Sequence, residues 1–192
     1  MVLTYSTMMK IGTVAPDFNL PDVVSGNKYS LEDFKGKKAL LVMFICSHCP
    51  YVKHVEAEIS KLGNNYKDKG VGVVAISAND PNHDSNDRPE GLKEQAKTAG
   101  FEFPYLFDET QEVAKKYTAA CTPDFFLFDG DPKLVYRGQL DDSRPENGKP
   151  VTGEDLKGAL DAVLSEKKVN PDQKPSTGCN IKWKYGNEPD FA

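Results

Sequence analysis

Residues Ala39 to Cys49 read ALLVMFICSHC: seven apolar residues run without interruption into two cysteines spaced as C-x-x-C, and Pro50 follows at once. A Lys/Gly cluster, Lys35-Gly36-Lys37-Lys38, precedes the run. So short an apolar stretch, with no alternation, suits a strand buried on both faces at the centre of a mostly parallel sheet. Beyond the cysteines, Val52, Val55, Ile59, Leu62 and Tyr66 recur at spacings of three and four, which marks one face of an amphipathic helix. Pro50 stands where that helix starts, in the turn whose N–H groups lack intrahelical partners. Val71 to Ser77 (VGVVAIS) forms a second buried strand, so residues 39–77 predict a strand–helix–strand crossover with parallel strands.

Outward from this unit the alternation continues. Ser30-Leu31-Glu32-Asp33 predicts a short capped helical turn. The pattern then predicts a helix around Gly91 to Ala99, a strand at Tyr105 to Phe107, and a helix around Gln111 to Tyr117. Phe125 to Phe128 (FFLF) forms a strand with Leu134 to Arg137 as its hairpin partner across Asp129-Gly130-Asp131-Pro132. Leu156, Ala159, Leu160, Val163 and Leu164 predict a closing helix, with Thr152 three residues before Asp155 as its start signal. The fold class is α/β, a sandwich with a central mixed sheet. Residues 1–168 read as one domain and residues 169–192 as a C-terminal extension, in which Ile181, Trp183 and Tyr185 alternate as if one side lay against the body.

Composition narrows the partners. The 192 residues carry 24 Lys+Arg against 29 Asp+Glu, a net charge of −5, so the counterion-release term that favours nucleic acid is missing and an acidic membrane surface is an equally poor partner. The start, MVLTYSTMMK, shows neither the basic opening nor the apolar run of a signal peptide, and no stretch approaches the roughly 20 apolar residues of a membrane span. These features lead to the expectation of a cytoplasmic location. Four cysteines in a chain of this length are too few for a disulfide scaffold, so their role is local chemistry.

Cys46-Ser47-His48-Cys49 lies between the end of a buried strand and the first turn of a helix. In a crossover unit, a C-x-x-C at that junction reads as a thioredoxin-like redox motif. Free N–H groups and the helix dipole stabilise a thiolate there, and the two-residue spacing lets the sulfurs bond with little backbone movement. On this reading Cys46, farther out on the turn, is the nucleophile, and Cys49, more sheltered, resolves the mixed disulfide. Protonated His48 adds positive charge beside the thiolate and makes the couple more oxidising. The bland alternatives are two buried structural thiols and a merely exposed turn histidine.

Ala15-Pro16-Asp17-Phe18-Asn19-Leu20, then Ser30 to Lys37 (SLEDFKGK), the apolar strand and the C-x-x-C together resemble the redoxin (AhpC/TSA-type) branch of the thioredoxin superfamily. Cys46 to His54 (CSHCPYVKH) and Gly178 to Lys184 (GCNIKWK) resemble a peroxiredoxin-like subgroup within it. The resemblance implies a thioredoxin-like three-layer sandwich with an N-terminal extension and an extended tail. It also implies a cis-proline loop facing the cysteine pair, a position that Thr122-Pro123 occupies, where the Thr122 backbone would offer a bound peptide a strand-like edge. Two departures matter. The peroxidase pattern P-x-x-x-[TS]-x-x-C would need Pro and Thr where Ala39 and Met43 stand, and the arginine such peroxidases place before the FFLF-type strand is missing, so thiol peroxidase activity is demoted. The buried acid that thioredoxins keep six residues before the first cysteine is replaced by Leu40, and their preceding Trp by Ile45. Glu56 is the nearest acid on the following helix.

Cys121 and Cys179 are further candidate redox thiols: Cys121 by its place two residues before Pro123, Cys179 if the tail folds back. A soft-metal site is the alternative from another class, since Cys46, Cys49, His48 and His54 supply sulfur and imidazole ligands for a copper or zinc carrier, although a structural zinc site usually shows two paired motifs. The loop Asp80-Pro81-Asn82-His83-Asp84 begins like a calcium loop but has Ser85 and Gly91 at the sixth and twelfth positions, so it reads as a solvated loop bordering the cleft. Gly70 and Gly72 precede or enter a strand, so no phosphate loop is present. The expectation is a thiol–disulfide oxidoreductase acting on protein or small-molecule thiols and disulfides, served by an external electron donor. No organic cofactor and no metal are called for. A redox-dead binding module on the same fold is the remaining alternative.

Overall fold

A strand buried along its whole length needs partners at both edges and cover on both faces, and all six residues of Ala39–Phe44 are buried. In the computed structural model, which describes residues 3–192, the elements run in the order β1 (Leu3–Tyr5), β2 (Asn19–Pro21), β3 (Lys28–Ser30), β4 (Ala39–Phe44), α1 (Pro50–Lys67), β5 (Val71–Ser77), α2 (Pro89–Ala99), β6 (Tyr105–Phe107), α3 (Glu112–Lys116), β7 (Cys121–Thr122), β8 (Asp124–Asp129), β9 (Leu134–Gly138), α4 (Glu154–Leu164) and β10 (Thr177–Asn180). β4 takes the middle of a five-stranded sheet of order β6-β5-β4-β8-β9. It pairs in parallel with β5, Ala39 opposite Val71 and Phe44 opposite Ile76, and antiparallel with β8, Phe44 opposite Asp124. β6 joins β5 in parallel and β9 joins β8 antiparallel, so the sheet is mixed.

The period-two alternation of β4 divides the core. Leu41 and Met43 face one layer with the apolar stripe of α1 (Val52, Val55, Ile59, Leu62), Leu92 of α2 and Leu156 and Leu160 of α4. Leu40, Val42 and Phe44 face the other, against Phe18 and Leu20 of the N-terminal extension and Val113 and Tyr117 at α3. Three layers result, the thioredoxin-like sandwich expected from the sequence. Among the described residues no helix is long and apolar enough to cross a membrane.

Local expectations hold in most places. Ser30 and Asp33 form a capping box on a 3₁₀ turn, Leu31–Phe34. Pro50 is at the start of α1. Two details differ. The N-cap of α4 is Gly153 at a φ of 69°, not Thr152, because the Asp141 carboxylate collects the N–H groups of both Thr152 (2.7 Å) and Gly153 (2.6 Å). In the tail, Ile181 is buried in the second core and Trp183 packs against it, but Tyr185 is fully exposed, since the chain turns out to solvent after Lys184.

The tail also forms a small second sheet of order β1-β10-β7. β10 lies antiparallel between its neighbours, with Cys179 opposite Thr122 on one side and Leu3 on the other. Beyond β10, Ile181 N–H donates to Ala120 O, and Lys182 O accepts from the N–H of Asp80.

Candidate active site

β4 ends at Phe44, and the Ile45 N–H makes one last bond to Ile76 O before the chain leaves the sheet through Cys46-Ser47-His48. Cys49 is the N-cap of α1, with extended backbone angles, and its carbonyl accepts the first intrahelical bond from Lys53 N–H. Its sulfur therefore stands among the free N–H groups of the first turn, where anionic sulfur is favoured. Cys46 lies one loop earlier, its carbonyl accepting from Gln95 Nε2 at 3.1 Å.

Thr122 meets every part of this cluster. Its Oγ1 is 3.3 Å from Cys46 Sγ, its carbonyl oxygen is 3.3 Å from Cys49 Sγ, and its backbone pairs with Cys179. The Thr122-Pro123 peptide is cis, matching the loop expected at that position. Cys49 Sγ and Cys179 Sγ lie 2.6 Å apart. All four cysteines are free and buried. Among the described residues Cys121 Sγ has only the Pro123 carbonyl as its partner, at 4.0 Å, and no sulfur.

The premise for choosing Cys46 as the attacking sulfur, its outer position on the turn, is not met: both cysteines are fully buried. Electrostatics separates them instead. The Cys179 sulfur first, then the Cys46 sulfur and the Val52 backbone, shift Cys49 below the ordinary thiol range against the effect of burial. Burial pushes Cys46 up, aided by its hydrogen bond with Cys49 and the negative charge of Asp87, and only Thr122 opposes this. Cys179 is raised by its bond with Cys49 and by burial, and Cys121 by burial and Asp124. Of the four thiols, Cys49 alone is shifted toward the thiolate.

His48 Nδ1 meets Asp87 Oδ2 at 2.5 Å, and that bond raises the His48 pKa despite partial burial. The same carboxylate accepts from the Ser47 N–H (2.8 Å), the His48 N–H (3.3 Å) and Asn79 Nδ2 (2.8 Å). Those donors keep Asp87 ionised although it is buried, which itself works the other way. When protonated, His48 is thus matched by a carboxylate, and Asp87 also pins the C-x-x-C loop through the Ser47 and His48 N–H groups. Sequence reasoning missed Asp87. Its only signal was the neighbouring acidic loop read as bordering the cleft, and His83 of that loop lies with its ring centroid 6.3 Å from that of His48.

Other candidates fall outside the sulfur cluster. His54 Nε2 bonds Ser143 Oγ at 2.7 Å. Glu56 reaches Cys46 only indirectly, through Gln95, whose Nε2 also donates to Glu56 Oε1 and whose Oε1 accepts from the Tyr105 hydroxyl. Ala39 and Met43, at the peroxidase-pattern positions, are buried on β4 and bring no hydrogen-bonding side chain. Ligand atoms of Cys46, His48 and Asp87 lie within 4.8 Å of one another, close enough to hold a metal ion.

The AhpC/TSA family profile matches residues 11–137. The thiol-disulfide oxidoreductase ResA of Bacillus thuringiensis subsp. konkukian is 29% identical over 168 residues, covering 88% of this chain and 83% of that protein. A crystal structure of an uncharacterized conserved protein from Geobacillus kaustophilus shares 56% identity with a TM-score of 0.94, covering 96% of this chain and 97% of that one. The thioredoxin domain of a thiol-disulfide oxidoreductase from Bacteroides vulgatus shares 27% identity with a TM-score of 0.57, over 72% of this chain and 91% of that one.

Proposed function

The chain belongs to the AhpC/TSA family and is a thiol–disulfide oxidoreductase, and we propose that its exchanging pair is Cys46 and Cys49, with Cys49 attacking and Cys46 resolving. The observation that carries this reading is the Cys49 sulfur at the N-cap of α1, 3.3 Å from the Thr122 carbonyl oxygen, with Thr122 Oγ1 also 3.3 Å from Cys46 Sγ. A thiolate so placed attacks one sulfur of a substrate disulfide, and the substrate's other sulfur leaves as a thiolate. Cys46 then attacks the mixed disulfide at Cys49, which releases the reduced substrate and leaves a Cys46–Cys49 disulfide. Thr122 and Pro123 position the substrate. His48 and Asp87 hold the loop and set the local charge. An external dithiol, as electron donor, restores the reduced pair. The substrates are protein or small-molecule disulfides.

Insulin reduction tests the assignment. Cys46→Ser and Cys49→Ser are each expected to lower the rate by two orders of magnitude or more, as loss of one sulfur of an exchanging pair requires, roughly. In a chain that also carries Cys179→Ser, so that no neighbouring thiol resolves it, Cys46→Ser is further expected to trap a mixed disulfide on Cys49. A mixed disulfide trapped on Cys46 in the Cys49→Ser chain would reverse the two roles, and full activity in both variants would remove the reading.

A second reading, a soft-metal carrier, is favoured by the closeness of Cys46, His48 and Asp87 ligand atoms. Against it, the imidazole Nδ1 is already engaged by Asp87. Stoichiometric Cu(I) binding by a chain that reduces no insulin would support the carrier.

A further inference from the structure

A thioredoxin-like site needs an open backbone edge beside its cysteines, where an extended substrate segment can pair and bring its own sulfur to the thiolate. In this chain that edge is taken. β7 carries Thr122, and its partner is β10 from the tail, with Cys179 directly opposite Thr122 and Asn180 opposite Cys121. The pairing continues past the strand, where Ile181 N–H donates to Ala120 O. Cys179 Sγ is delivered to 2.6 Å from Cys49 Sγ, against about 2.05 Å for a disulfide bond.

The seating depends on one residue. A Cβ on Gly178 would stand 2.0 Å from the Thr122 carbonyl oxygen and 2.7 Å from its carbonyl carbon, both rigid backbone atoms. Only glycine lets β10 approach β7 this closely, and Cys179 follows it immediately.

We propose that Cys179 is the third redox thiol of this chain, carried on β10 as a built-in exchange partner that occupies the substrate edge at Thr122. The proposal rests on the Cys46–Cys49 reading above and extends it. After a substrate disulfide has been reduced, the pair is left as a Cys46–Cys49 disulfide. Cys179, losing its proton, attacks the Cys49 sulfur. The Cys46–Cys49 bond breaks, a Cys49–Cys179 bond forms, and Cys46 leaves as a thiolate that takes up the proton. No electrons enter or leave in this step. The product is an oxidised chain whose tail is covalently fastened across the substrate edge, so a new substrate can enter only after an external dithiol has reduced that bond and β10 has lifted from β7.

The test uses the full chain, oxidised with diamide, blocked with N-ethylmaleimide and digested with trypsin without reductant. Cys46 and Cys49 share the tryptic peptide 39–53, and Cys179 lies in 169–182. The expected product joins those two peptides through Cys49 and Cys179, with Cys46 carrying the maleimide, as fragmentation of the linked pair reads out. Gly178→Ala displaces β10 and removes no sulfur. It is expected to lower the yield of the linked pair and to speed iodoacetamide alkylation of Cys49, each by about tenfold or more, because buried thiols react slowly. Maleimide on Cys179 in every oxidised chain overturns the proposal, as does a linked pair formed in undiminished yield by Gly178→Ala. Either outcome leaves the Cys46–Cys49 pair standing if the parent chain reduces insulin and Cys46→Ser does not. An oxidised chain with neither link and no insulin reduction overturns both readings.

Discussion

Asp87 shows how one buried carboxylate organises the chemistry around it. Four donors converge on it, two of them backbone N–H groups of the loop that carries the cysteines. Hydrogen bonds to a charged group each contribute about 1.5–3 kcal/mol, so the carboxylate holds the loop against the entropy of a flexible turn. Asp87→Asn removes the charge and leaves an amide N–H₂ facing at least one donor. NMR titration of the variant is expected to show the His48 pKa falling to or below its ordinary value, since the hydrogen bond and charge that raise it are gone while burial, which lowers it, remains. The stability contributed by imidazolium is present below the unfolded pKa and lost as pH rises through the raised folded value, so this pH dependence disappears in the variant. Insulin reduction is expected to slow by about tenfold, equivalent to one loosened contact of about 1.4 kcal/mol. An unshifted His48 pKa would show that Asp87 is not its controlling partner.

At the scale of elements, α1 does two jobs with different faces. Its first turn receives the Cys49 sulfur, and its apolar stripe, with Val55, Ile59 and Leu62, packs it into the core against β5. Gly63 belongs to the second job. A glycine inside a helix costs about 1 kcal/mol relative to alanine, so propensity alone recommends Gly63→Ala. Packing opposes it: a Cβ there would stand 2.3 Å from Cε1 of Phe103, a buried ring stacked on Phe101. Overpacking of this kind costs about 1–3 kcal/mol, so Gly63→Ala is expected to lower stability in chemical denaturation although the helix itself is improved. A gain in stability would mean that Phe103 gives way freely. The same contrast between local preference and close approach recurs in β10, where Gly178 serves contact with β7 and not strand formation.

For the whole molecule, global stability carries the mark of Asp124, the first residue of β8, whose carboxyl is fully buried. Its Oδ2 has no hydrogen-bond partner among the described residues, and burial raises its pKa from 3.8 to about 7. A folded pKa above the unfolded one means that the native chain holds this proton more tightly, so stability is full below about pH 4 and is lost as pH rises to about 7. The gap corresponds to at most about 4 kcal/mol. Asp124→Asn is expected to melt at a higher temperature than the parent at pH 8, by several degrees at roughly 2–4 °C per kcal/mol, and the difference is expected to shrink toward pH 4. A difference constant between pH 4 and 8 would place the titrating group elsewhere.

What the sequence determined by itself is the part of the protein set by local pattern. The unbroken run 39–45, the helical spacing from Val52 to Tyr66 and the strand 71–77 specified a parallel crossover, because apolar periodicity reports the faces that must leave water. Pro50 after a C-x-x-C placed the cysteines at a helix start for the same local reason. Tertiary structure alone decided which sulfur is shifted toward the thiolate and which residues surround it. Asp87, Thr122 and Cys179 come to Cys46 and Cys49 from distant parts of the chain, and no local pattern encodes their meeting. The tail belongs to the folded whole in the same way: the shifts of Cys49 and Cys179 arise from each other, and they meet only because β10 pairs with β7.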